Sequence, residues 1–158
     1  MKTDYPIHKI SWSDLERITT IITNDINKSD IKIDSIVAIL KGGMPISMLL
    51  GSKLGIDAIS ALHLRRSTNN LRNTTFEETS YLGITNHSII EDKNVLLVDD
   101  IYDSGKTMKT AIEYVKKYKP RNIYVAIAYS FNKKKHNLKE FIGSQEIEYK
   151  WIVFPWER

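Results

Sequence analysis

At 158 residues, 42% hydrophobic and 27% charged, the chain has the size and balance of a single globular domain (1–158) with a real core. It has no cysteine, which excludes a disulfide framework, a thiolate metal site and a thiol nucleophile. No run approaches membrane-spanning length and residues 1–6 lack the apolar core of a signal peptide, so a cytoplasmic protein without a membrane partner is expected. The net charge of +4 is mild, and much of it sits in Lys133, Lys134 and Lys135, so charge gives no argument for a nucleic-acid partner.

In chain order, Ser11 or Ser13 is a candidate N-cap, and Leu15, Ile18, Ile22 and Ile26 then recur at helical spacing. This predicts an amphipathic helix within 8–28, with Trp12 in the core or as a staple. Residues 36–40 are apolar throughout and predict a buried strand, which runs into Lys41, Gly42 and Gly43. A helix over 46–54 follows, closed by Gly55. Two glycines directly after a strand let backbone approach a ligand, and Lys41 adds a cation. Taken alone, the same residues read first as a tight strand-to-helix turn with a solvated lysine. Residues 56–64 predict a third strand. Residues 65–88 are polar and aperiodic, and a connection of that length is usually functional or disordered.

Residues 95–98 are again apolar throughout, and the carboxylates of Asp99 and Asp100 follow them directly. Then come Asp103, Ser104, Gly105, Lys106 and Thr107, and a helix over 108–117 with Met108, Ala111, Ile112 and Val115 on one side. A strand, a small-residue turn and a helix make a phosphate site, because first-turn N–H groups lack intrahelical partners and the helix dipole favours an anion. A P-loop is excluded, since it requires glycine five positions before Gly105 and Asp100 stands there. Carboxylates beside the turn suit sugar hydroxyls, or Mg²⁺ through water, with a single terminal phosphate in the turn. Residues 123–128 predict a further buried strand. Strands alternating with helices imply an α/β fold with a mostly parallel, doubly wound sheet, and ligands then gather at the carboxyl ends of the strands. Lys41, Asp99 and Asp103 each lie just after a predicted strand end, so the topology brings them together.

The run from Asn94 to Met108 resembles the phosphoribosyl-pyrophosphate (PRPP) signature of the type I phosphoribosyltransferases: a hydrophobic strand, two acids, then Asp, Ser or Thr, Gly, any residue and Thr. The resemblance implies a pyrophosphate loop at Lys41, Gly42 and Gly43, with a cis peptide between Leu40 and Lys41. It implies a loop within 65–88 that closes over the reacting centre, with Arg65, Arg66 and Arg72 as candidate pyrophosphate contacts. Asp99 and Asp100 would orient the ribose hydroxyls directly or through waters of Mg²⁺, the implied cofactor. Ser104, Gly105, Lys106 and Thr107 would hold the 5′-phosphate, and Asp103 would take a proton from the incoming base.

The C-terminal run Trp151, Ile152, Val153, Phe154, Pro155, Trp156 and Glu157 reads, by composition, as an edge strand plugging the core. It also resembles the ending of the small xanthine–guanine and hypoxanthine–guanine purine phosphoribosyltransferases of bacteria and archaea. That resemblance implies a core over about 30–130 and a small hood built from the N-terminal segment and residues 136–158. In it Trp151 would stack on the purine and the backbone of Ile152 would bond its edge, with Trp156 and Glu157 structural. The chain departs from that family where a lysine after the 123–128 strand donates to the purine 6-oxo group. Here Tyr129, Ser130 and Phe131 stand there, leaving Ser130 or the lysines at 133–135 as substitutes. The implied activity is Mg²⁺-dependent transfer of phosphoribose from PRPP to a 6-oxopurine by a dimer or tetramer. The rival expectations are a PRPP-sensing regulator without catalysis and a transferase for another base.

Overall fold

The unbroken apolar runs of the sequence become strands buried on both faces. In this computed structural model, which describes residues 5–71, 74–131 and 136–157 with backbone alone for 66–71 and 74–79, the runs at 36–40 and 95–98 lie in the middle of a six-stranded sheet. In chain order the elements are β1 (Ile7–Lys9), α1 (Trp12–Asn27), β2 (Ser35–Ile39), α2 (Gly43–Leu54), β3 (Ile59–Leu71), β4 (Thr74–Ile84), β5 (Asn94–Tyr102), α3 (Lys106–Lys116), β6 (Asn122–Ser130), β7 (Glu140–Gln145) and β8 (Trp151–Val153). Six strands form the main sheet in the order β4-β3-β2-β5-β6-β7. All neighbouring pairs are parallel except β3 with β4. Alternation along β5 explains its continuous apolarity. Val95 and Leu97 belong to the core built with Met108, Ala111 and Val115 of α3. Leu96 and Val98 belong to the opposite core, with Ile18 and Ile22 of α1 and Ile46 and Leu50 of α2. The α/β, mostly parallel, doubly wound architecture expected from the pattern is the one observed. Among the described residues, no helix is long and apolar enough to cross a membrane.

The differences lie where polarity hides a strand. The third strand starts at Ile59, three residues later than its apolar pattern, and runs on to Leu71, pairing antiparallel with β4. Most of the polar stretch 65–88 is therefore a hairpin: its threonines suit a pleated strand, but without an apolar face they give no alternation to read. Strand β5 extends through Tyr102, so Asp99 and Asp100 belong to the strand instead of following it. Strand β6 likewise continues through Tyr129 and Ser130. Strand β7 joins the edge of the main sheet beside β6, burying Phe141. Strands β1 and β8 form a separate two-stranded parallel sheet. Trp12 is no core residue: it is 59% exposed on the first turn of α1.

Candidate active site

The chain leaves β2 through α2 towards β3 on one side, and leaves β5 through α3 towards β6 on the other. The connections after β2 and β5 therefore diverge, and a crevice opens between them at the carboxyl ends of the strands. A cleft of about 570 Å³ lies there. Lys41, Gly42, Asp99, Asp100, Asp103, Thr107, Trp151 and Ile152 all border it, so residues up to 111 positions apart in sequence meet in one place. Gly43, Ser104, Gly105 and Lys106 stand beside these in the two connections but do not themselves line the cleft. The Leu40–Lys41 peptide is cis.

The helices that start at the cleft differ from the one that does not. Helix α1 begins with a capping box: the Ser11 hydroxyl accepts from the Asp14 N–H at 3.1 Å, and the Asp14 carboxylate accepts from the Ser11 N–H at 2.9 Å. That network holds the Asp14 carboxyl below its ordinary value, first through the Ser11 hydrogen bonds and then through the nearby Arg17. Helices α2 and α3 are capped by Gly42 and Gly105, neither of which offers a side chain to the helix start. Both helix ends are electropositive by the dipole, and each has a lysine next to its cap, Lys41 before Gly42 and Lys106 after Gly105.

Glycine is dictated at both caps by close approach. A Cβ on Gly42 would stand 1.7 Å from Asp100 Oδ2, so any side chain there would displace the Asp100 carboxylate. Gly105 has φ 78°, the left-handed region, and a Cβ there would meet the Tyr102 hydroxyl at 2.6 Å.

Strand alternation sends the two acids to opposite faces. Asp99, 8% exposed, follows Val95 and Leu97 towards the α3 side, and Asp100 follows Leu96 and Val98 towards α2. Both still border the cleft because it lies across the end of β5. Each carboxylate is oriented by the backbone: Asp99 Oδ1 accepts from the Asp100 N–H at 3.0 Å and Asp100 Oδ1 from the Ile101 N–H at 2.8 Å. Burial pushes the Asp100 carboxyl above its ordinary value. The hydrogen bond with Asp99 offsets part of that, and the negative charge of Glu157 adds to it. Among the described residues, no three His, Cys, Asp or Glu side chains gather into a metal cage. Two carboxylates that border one cleft nevertheless suit Mg²⁺, which keeps several waters and takes the rest of its oxygens from a substrate.

The other part of the lining is aromatic: Phe131, Tyr149, Trp151 and Trp156. Tyr149 is held between Phe131 (ring centroids 4.9 Å apart) and Tyr5 (4.7 Å). Trp156 stacks on buried Phe154 at 4.6 Å, and Glu157 fixes that turn by accepting from the Phe154 N–H at 2.9 Å. Trp151 keeps 47% of its surface open. In β8 the Trp151 N–H donates to Pro6 O and Val153 O accepts from the Ile10 N–H, both at 2.9 Å. The backbone groups of Ile152, between them, point away from β1 along the free edge of the two-stranded sheet.

Ser130 does not join the cleft. It is 2% exposed within β6, and its successor Phe131 lines the cleft instead, because the strand runs two residues past its apolar pattern. Arg65 is exposed on β3 and lies outside the lining. The side chain of Arg66, and Arg72, Lys133, Lys134 and Lys135, fall outside the described residues. Sequence reading missed Phe131, Tyr149 and Lys150 as lining residues. For the last two a signal existed in their adjacency to Trp151; for Phe131 there was none without the length of β6.

Residues 11–157 match the phosphoribosyl transferase domain family. Among curated proteins, the chain is similar to the transcriptional regulator GfcR of Methanococcus maripaludis, 30% identical over 114 residues, which are 72% of this chain and 52% of that protein. The chain thus spans about half the length of the GfcR proteins it matches. Among solved structures, it superposes on a hypothetical protein from Neisseria gonorrhoeae with bound ppGpp, with a TM-score of 0.86, 22% identity, and coverage of 99% of this chain and 92% of that one. It also superposes on the purine phosphoribosyltransferase from Pyrococcus horikoshii, with a TM-score of 0.78, 24% identity, and coverage of 96% and 95%. At such identities the likeness of structures carries the fold.

Proposed function

The chain belongs to the phosphoribosyl transferase domain family, and from that premise we propose that it transfers the 5-phosphoribosyl group of PRPP to a ring nitrogen of a 6-oxopurine. The products are the nucleoside 5′-monophosphate and pyrophosphate. One observation carries this reading: two glycine-capped helix starts border a single cleft, and the carboxylates of β5 end in the same cleft. A ligand that fits has an anion at each end and hydroxyls between them. PRPP is such a molecule, with a phosphate at C5, a diphosphate at C1 and the ribose diol in the middle.

Lys41 and the amides that begin α2 would receive the diphosphate, and Ser104, Gly105, Lys106 and Thr107 at the start of α3 the 5′-phosphate. Asp99 and Asp100, with their oxygens already oriented by backbone N–H groups, would accept from the ribose hydroxyls. Mg²⁺ held at these carboxylates with its waters would neutralise charge on the departing pyrophosphate. As the bond at C1 lengthens, positive charge grows on the ribose ring, and the carboxylates nearby favour it. Asp103, on the turn beside the cleft, would take the proton released by the base nitrogen. Trp151 would cover one face of the base, and the outward backbone groups of Ile152 would bond its edge.

A second reading, a non-catalytic sensor, is favoured by the likeness to GfcR. The neighbour with bound ppGpp makes that nucleotide a ligand to test, since it carries two diphosphates that could meet the two helix starts. The experiment is pyrophosphate release from PRPP and Mg²⁺ with guanine, xanthine, hypoxanthine, adenine, uracil and orotate, with products identified by chromatography and ppGpp added as a competitor. Turnover with a 6-oxopurine is expected. Tight PRPP or ppGpp binding without turnover on any base would put the sensor first.

A further inference from the structure

We propose that Tyr81, Tyr114 and Tyr118 are positioning residues for the 5′-phosphate: by clamping the far half of α3 to β4 they aim the start of that helix at the cleft. The proposal rests on the reading of the cleft as a PRPP site and adds to it the device that holds one end of that site in line. Tyr81 belongs to β4, Tyr114 to α3, and Tyr118 to the turn just after α3. None of the three lines the cleft; they act through the helix that starts there.

The rings interleave. Tyr81 stacks on Tyr114, with centroids 4.2 Å apart and planes at 15°, and the hydroxyls of Tyr81 and Tyr118 share a hydrogen bond at 3.0 Å. His87, beyond the end of β4, stacks on Tyr118 at 5.1 Å, and the Lys117 ammonium stands 4.0 Å from the Tyr114 ring centroid. A β-bulge presents Tyr81 for these contacts. Leu62 pairs with Ile84 and His63 with Gly83, and regular pairing would set Leu64 against Leu82, but Leu64 pairs with Tyr81. Cross-strand partners share a face. The bulge therefore turns Tyr81 towards α3 and leaves Leu82 53% exposed.

Helix α3 needs such a clamp. Met108, Ala111, Ile112 and Val115 form the stripe that seats it on the sheet. That packing is non-directional, so a stripe alone lets a helix swivel on the sheet. Tyr114 and Tyr118, four residues apart, project from one flank of the stripe, about 90° round the helix at 100° per residue. Stacked rings and a directed hydrogen bond on that flank oppose the swivel. Tyr114 lies two turns beyond Thr107, about 10 Å along the axis, so the clamp and the first-turn N–H groups are opposite ends of one lever. The sheet side of the clamp is fixed as well: Leu64, the strand partner of Tyr81, borders the cleft, and Leu62 O accepts from the Leu40 N–H at 2.9 Å.

The test compares the wild type with Tyr118→Phe, Tyr81→Leu and, as a control for stability alone, Ser11→Ala. Calorimetry measures the Kd of PRPP, ribose 5-phosphate and pyrophosphate, each with Mg²⁺, beside the melting temperature. PRPP and ribose 5-phosphate both carry the 5′-phosphate and should weaken together. The loss should be about threefold in Tyr118→Phe, which gives up the hydroxyl bond and keeps the ring, and roughly tenfold in Tyr81→Leu, which gives up bond and stack. Pyrophosphate, which would sit at the start of α2, should keep its Kd. Ser11→Ala should lower the melting temperature and leave all three affinities unchanged. Unchanged affinity for the two sugar phosphates in Tyr81→Leu overturns the proposal and leaves the reading of the cleft intact. An equal loss for pyrophosphate overturns it too, since that marks a general loosening of the fold. A wild type that binds neither sugar phosphate overturns the PRPP reading itself, and the proposal falls with it.

Discussion

The cleft has two kinds of lining, and they are built differently. The carboxylates and the start of α3 come from one continuous stretch, β5 through Thr107, in which local backbone fixes nearly everything. Alternation aims Asp99 and Asp100, neighbouring N–H groups hold their oxygens, and Gly105 turns the chain. The aromatic lining is gathered from the end of β6, the approach to β8 and the turn at Pro155–Glu157. Its side chains are held by ring contacts across elements, such as Tyr149 between Phe131 and Tyr5. The first kind tolerates little change because backbone and site are the same atoms. The second can change its ligand one side chain at a time.

Substitutions can break this comparison, beginning with the largest effect. Asp103→Asn should lower kcat by about 10²–10⁴-fold, the usual weight of general-base help, with PRPP affinity changed far less. Steady-state kinetics against isothermal titration separates the two, and an unchanged kcat removes Asp103 from the chemistry.

Trp151→Ala should raise the KM for the base by about 5–150-fold, since stacking on one aromatic contributes about 1–3 kcal/mol. Because Trp151 is half-exposed, the melting temperature should hold. A matching rise in the KM for PRPP would show that the two linings are coupled after all.

Gly105→Ala tests the continuous lining. Forcing a side chain into the left-handed region costs about 1–2 kcal/mol before its overlap with Tyr102 is counted. Both the melting temperature and PRPP affinity should fall, for every base alike. Loss that depended on the base would contradict the division.

The smallest effect is expected outside the cleft. Ser11→Ala should cost about 1 kcal/mol of stability and leave kinetics alone, because α1 is closed by its own side chains. The partner Asp14 supplies the pH dependence. Its carboxyl is held below its ordinary value of 3.8, so its contribution is present above that pH and lost as pH falls through the lowered value. The stability gap between wild type and Asp14→Asn should therefore be open at neutral pH and close in strong acid, as followed by denaturant unfolding. A gap that widened in acid would reverse the sign.

The same division decided how much was legible beforehand. The runs at 36–40, 95–98 and 123–128 announced a parallel sheet, since strands buried on both faces have no polar positions, and the turn at 103–107 announced the start of α3. Gly42 and Gly105 were legible as glycines, but the reason for Gly42, the Asp100 carboxylate 1.7 Å from where its Cβ would be, belongs to tertiary packing. The hairpin of β3 and β4 was hidden because a polar strand has no hydrophobic period. Strand β7 was hidden because its edge position leaves Phe141 as its one buried hydrophobic residue. Ser130 and Phe131 show the limit most clearly. The sequence offered the serine as the polar group after a strand, and the strand continued through it, burying the serine and delivering the phenylalanine. Local spacing determined the strands, the acids and the glycine-capped helix starts, because those depend on a few neighbouring residues. Only the tertiary structure decided which rings border the cleft, because that depends on where separate elements stop and how they pack.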